Sequence, residues 1–154
     1  MRTFILPRAI IEGTINFLRR VGSEGFEGFV LWSGIMIGLE RFEFCSFIVP
    51  EQHARLTNNG LLVSVDGTAL FEVNRLLHDR GEILAAQVHS HPTEAYHSST
   101  DNTFPLATIL GGLSVVIPDF ARNAPTDIHK WAWYRLSKRG LWDRASKNTQ
   151  VEIL

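Results

Sequence analysis

Residues 83 to 92 constrain this sequence more than any other stretch. A mostly apolar run, Ile83 to Val88, passes without a break into His89-Ser90-His91-Pro92. The run reads as a buried strand. Pro92 ends it, because proline has no N–H to donate to a ladder. Upstream, Asp66 is an N-cap candidate, Leu70, Val73 and Leu77 recur near helical spacing with Phe71 and Leu76 beside them, and Gly81 is a natural C-terminal stop. A helix that feeds a buried strand, whose far end carries two histidines, points to layered α/β architecture.

The rest of the chain fits that frame. Thr3 to Leu6 reads as a short strand. Pro7 stands where a helix begins, and Ile11, Ile15 and Leu18 carry it to a stop at Val21 and Gly22. Ser23 to Gly28 is turn-like, Phe29 to Leu39 reads as a buried strand, and Phe42 to Val49 as its neighbour. Glu51 to Gly60 reads as a loop and Leu61 to Val65 as a brief strand. Later strands are expected at Leu113 to Ile117 and His129 to Leu136, with Gly140 to Asp143 opening a hairpin partner. The expectation is a mixed, mostly antiparallel sheet flanked by helices, in one domain over 1–154.

Charge and cysteine content remove several function classes. Fifteen basic and 16 acidic residues leave a net charge of −1, without the basic surplus of a phosphate-backbone binder. Cys45 is the only cysteine, so no disulfide forms within the chain, and a cytoplasmic setting is expected. Its surroundings, Phe42 to Val49, suggest a small buried apolar residue. No uncharged apolar stretch reaches the roughly 18 residues of a membrane span.

The chemistry gathers at His89 and His91. Side chains at i and i+2 of a strand share a face, so the two imidazoles stand side by side. Beyond Pro92, the loop from Thr93 to His97 can return Asp101 over the same point. Two imidazoles and one carboxylate are the ligand set of a catalytic zinc that keeps its fourth position open. Such a centre also needs a base, and Glu27 is the candidate, because it abuts the apolar strand beginning at Gly28, where a carboxylate needs a reason. Glu24, three residues earlier, is its rival and reads as a solvated turn carboxylate.

These residues resemble the JAMM (MPN-plus, JAB domain) metalloprotease family, in its compact prokaryotic branch. The matching elements are Glu27 at the head of Gly28-Phe29-Val30-Leu31-Trp32-Ser33-Gly34, then His89-Ser90-His91-Pro92, then Ser98-Ser99-Thr100-Asp101. The resemblance implies a JAB/MPN fold, akin to that of cytidine deaminase. It implies one catalytic zinc on His89, His91 and Asp101, Glu27 as proton shuttle, and Ser98 supporting the oxyanion. It further implies hydrolysis of an amide at the C-terminus of ubiquitin or a ubiquitin-like protein, with activating and conjugating enzymes as further partners. The loop from His91 to Asp101 is one residue shorter than in eukaryotic members, and the segments Glu51 to Gly60 and Asn102 to Gly112 are short. The shorter loop is the pattern of the compact prokaryotic branch, and the short segments favour a small, less selective processing enzyme.

Plainer readings stand beside these. His89 and His91 alone would suit a polar strand face. Ser98 and Asp101 have the spacing of a capping box, which is compatible with a catalytic role. His97 reads as an exposed loop histidine, and His53, His78 and His129 as surface residues. Other functions are the same zinc chemistry on a sulfur-carrier protein or a small-molecule amide, and a metal-free scaffold of the same fold.

Overall fold

The structure is a computed structural model that describes residues 1–58, 60–97, 106–107, 109–122 and 127–154. Among the described residues ten strands and two α-helices follow one another as β1 (Thr3–Leu6), α1 (Arg8–Ser23), β2 (Phe29–Ile37), β3 (Arg41–Ile48), β4 (His53–Thr57), β5 (Gly60–Ser64), α2 (Gly67–Arg80), β6 (Ile83–Ser90), β7 (Leu113–Ile117), β8 (Ala132–Leu136), β9 (Trp142–Arg144) and β10 (Gln150–Ile153). Eight strands form one sheet in the order β10-β1-β3-β2-β6-β7-β8-β9, and β4 and β5 pair separately. Within the large sheet β1 runs parallel to both β10 and β3, and β6 parallel to β7. The other four pairings are antiparallel. The mixed, mostly antiparallel sheet expected from sequence is therefore present.

The helices cover opposite faces of the sheet. Ile10, Ile11, Ile15 and Leu18 of α1 pack with Phe4, Phe42, Phe44, Val30 and Trp32. On the other face Val73 and Leu77 of α2 pack with Leu31. Alternate residues of β2 thus enter different layers, and Phe29 to Gly34 is buried throughout. Trp32 anchors α1 through a polar contact, its indole N–H donating to Thr14 Oγ1 at 2.8 Å. Asp66 caps α2 by accepting the Ala69 N–H at 2.9 Å, and Gly81 closes it at φ 65°. At Gly34, where the β2–β3 register shifts, a Cβ would stand 1.9 Å from the Glu43 carbonyl oxygen, so only glycine fits.

Three expectations need correction. Part of the predicted 51–60 loop is strand β4, all but the last of its residues exposed, so no apolar alternation marked it. The strand β10 was not anticipated. Its four residues gain their place by pairing with β1, a contact that closes from the far end of the sequence. Cys45 is exposed, not buried, because the strand's alternation turns Phe42 and Phe44 inward instead. Among the described residues no helix is long and apolar enough to cross a membrane.

Candidate metal centre

The two histidines sit at the C-terminal end of β6, a central strand flanked by β2 and β7. His89 is 1% exposed and His91 5%. Their Nε2 atoms are 3.2 Å apart. Two nitrogens each about 2.05 Å from a tetrahedral ion would stand roughly 3.3 Å apart, so this spacing, also that of a hydrogen bond between the rings, fits a shared zinc. The donor chemistry fits as well, because neutral imidazoles direct Nε2 lone pairs at a cation. The Phe29 ring stacks on His89 with 5.1 Å between centroids, and the Tyr96 ring meets His91 edge-on at 4.7 Å.

Backbone contacts hold His91 although it lies just past the strand. Its N–H donates to the Ile117 carbonyl at 2.9 Å, and its own carbonyl accepts the Phe120 N–H at 2.8 Å. The Asp119 N–H donates to the Thr93 carbonyl at 2.9 Å. Asp119, Phe120 and Ala121 all have left-handed backbones, with φ of 55°, 52° and 58°. Each such residue costs on the order of 1 kcal/mol or more, and persists where its surroundings over-determine it. Arg19 of α1 adds to that determination, its Nε donating to the Ala121 carbonyl at 2.6 Å.

The segment that follows Glu27 is placed by the ladder between β2 and β6. Phe29 pairs with His89. Ser90 extends the pairing twice over, its N–H donating to the Gly28 carbonyl at 3.2 Å and its Oγ accepting the Gly28 N–H at 3.1 Å. Glu27 immediately precedes Gly28, just outside this ladder. At the same strand head, the Gln52 side chain takes the place of a missing neighbour, accepting the Phe29 N–H at 2.7 Å and donating to the Phe29 carbonyl at 2.9 Å. Glu24, the rival, is exposed, whereas Glu27 is half-buried.

Ser98 and Asp101 lie outside the described residues. Among the described residues no set of three histidine, cysteine or carboxylate side chains forms a metal cluster. The geometry therefore brings together the paired imidazoles and the Glu27 segment. His53, His78 and His129 are exposed, as expected.

His97 departs from its expectation as an exposed loop residue. It is half-buried, its ring 4.6 Å from Tyr134, 5.7 Å from Trp142 and 6.2 Å from His89 between centroids. Its Nε2 lies 2.7 Å from Ser114 Oγ, and its N–H donates to the Tyr134 hydroxyl at 3.1 Å. Those neighbours come from β7, β8 and β9, more than fifteen positions away in sequence, and nothing local announced them. The sequence reading also passed over Gln87. An amide inside an apolar strand is a signal in itself, because a buried polar side chain has to find partners.

No family model matches the chain. A curated protein of Sinorhizobium fredii, named "Probable metalloprotease y4jG", is 40% identical over 143 residues, which is 93% of this chain and 87% of that protein. The chain belongs to the JAMM/MPN metalloprotease family. Two solution structures share the fold. A Desulfitobacterium hafniense protein aligns at TM-score 0.65 with 18% identity, over 98% of this chain and 92% of its own. A Salinibacter ruber protein aligns at 0.56 with 18% identity, over 99% and 91%. A JAB1/MPN domain protein of Archaeoglobus fulgidus reaches 0.49 at 16% identity, too loose a likeness to argue from. Seen as a JAMM/MPN member, the chain has His89 at the end of β6 paired with Phe29 at the head of the neighbouring β2, with His91 just past the one strand and Glu27 just before the other.

Proposed function

We propose that residues 1–154 act as one zinc-dependent peptidase or isopeptidase domain, hydrolysing an amide at the C-terminus of ubiquitin or a ubiquitin-like modifier. The observation that supports it most is the pair of buried Nε2 atoms 3.2 Å apart, beside the Glu27 strand head, in a chain 40% identical to a named metalloprotease. His89, His91 and Asp101 hold the ion. When bound, zinc lowers the pKa of a water to about 7 and polarises an amide carbonyl.

The remaining roles belong to side chains of the chain. Glu27 accepts the proton of the attacking water and delivers it to the departing amine nitrogen. Ser98 donates a hydrogen bond to the oxygen that gains charge as the amide carbon becomes tetrahedral. Phe29 and Tyr96 flank the imidazoles and limit water around them. The modifier's extended tail lies as an added strand at a sheet edge, its main-chain groups supplying affinity. Activating and conjugating enzymes are the partners such a cycle calls for, and the lone cysteine suits a reducing cytoplasm.

The test is cleavage of a purified ubiquitin-like fusion by the full chain. Wild-type protein should cleave it, and a chelator should stop the reaction. Glu27→Gln should lower the rate by about a hundredfold or more while keeping its metal. Undiminished cleavage by Glu27→Gln would refute the mechanism. Turnover of small amides alone would move the assignment to a small-molecule hydrolase. Purified protein without stoichiometric metal would point to a scaffold.

A further inference from the structure

The face of β6 that carries His89 also carries Gln87, two residues earlier and 0% exposed. Its Oε1 accepts two backbone N–H groups, from Leu106 at 2.7 Å and Ala107 at 3.0 Å. Its Nε2 donates to Ser114 Oγ at 3.2 Å, on the paired position of β7. Ser114, also 0% exposed, is the residue whose Oγ lies 2.7 Å from His97 Nε2. The His97 N–H in turn meets Tyr134 of β8.

A single polar network on three adjacent strands therefore holds residue 97 on one side and residues 106 and 107 on the other. Only positions 98 to 105 join those two points, and Ser98 and Asp101 are among them. Burying an amide in a central strand costs several kcal/mol unless its hydrogen bonds are made. Here both the acceptor and the donor end of Gln87 are used. Ala86 and Val88 beside it show that an apolar residue suits this depth. Satisfied buried networks of this kind rigidify and specify one arrangement.

We infer that Gln87, Ser114 and His97 are positioning residues that fix both ends of the segment carrying the third metal ligand, and so set the metal affinity of the histidine pair. This rests on the proposed zinc site. A role limited to core stability would lower the melting temperature and leave the ion bound as tightly as before. A positioning role changes the binding itself.

The experiment measures zinc affinity by chelator competition and the visible spectrum of the cobalt(II) form, in full-length wild type, Asp101→Ala, Gln87→Met, Ser114→Ala, His97→Phe and His97→Gln. Gln87→Met and His97→Phe should bind zinc about 10–100-fold more weakly than wild type, the range typical of lost outer contacts to ligands. Their cobalt spectra should shift toward that of Asp101→Ala. His97→Gln, which keeps a polar atom for Ser114, should recover part of the affinity. If Gln87→Met does not fold, Ser114→Ala and His97→Phe carry the same test. Wild-type affinity and spectrum in the folded variants would overturn the inference alone. No metal binding by wild type, or unchanged binding in Asp101→Ala, would overturn the zinc site and the inference with it.

Discussion

Ser90, between the two histidines, turns its hydroxyl toward the neighbouring strand rather than toward their face. There it closes the second of two hydrogen bonds with Gly28. The paired imidazoles were legible in sequence because strand alternation and a terminal proline are local facts. The serine's partner was not, because Gly28 is 62 positions away. Cys45 shows the same limit in reverse: its apolar neighbours suggested burial, yet it stands on the outward side of β3. Partial desolvation, followed by the Glu82 and Glu43 carboxylates, raises the pKa of its thiol. A raised pKa means less thiolate at a given pH. Cys45 should therefore react with iodoacetamide more slowly than free cysteine at pH 8, and the deficit should shrink as pH rises. An equal or faster rate at pH 8 would contradict that environment.

Among elements, α1 and α2 were legible from their caps and apolar spacing, and both formed within about two residues of expectation. Their burial has a specific vulnerability. Thr14 and Trp32 are both 0% exposed, and the Trp32 indole N–H donates to the threonine hydroxyl. Thr14→Val keeps the shape and removes the acceptor, leaving a buried donor unsatisfied at a cost of about 1–3 kcal/mol. The denaturation midpoint should fall accordingly, and an unchanged midpoint would show that the contact contributes nothing. Strands β4 and β10 were not legible for different reasons. The first exposes nearly every residue. The second is a four-residue segment that depends on β1 for its hydrogen bonds.

At the level of the whole molecule, sequence pattern predicted a mixed sheet but not its order. Placing β2 beside β6 joins segments about sixty positions apart, and that adjacency assembles the candidate centre. The segment holding Ser98 and Asp101 was read from motif alone and lies outside the described residues. An ion bound only by the folded chain adds stability by mass action, about 4 kcal/mol when free ion is 1,000 times its dissociation constant. Wild-type protein should therefore melt several degrees higher with zinc than with chelator, and His91→Ala should melt alike in both. A zinc-dependent gain that survives in His91→Ala would place the ion elsewhere.

The doubled hydrogen bond between Gly28 and Ser90 has a longer reach. It ties the backbone just after Glu27 to the residue between the two histidines, at the strand spacing of about 4.5–5.5 Å between facing residues. Loops and the β4–β5 ribbon can then diverge to suit new substrates while the reacting groups keep their distance, so selectivity and chemistry are free to evolve separately.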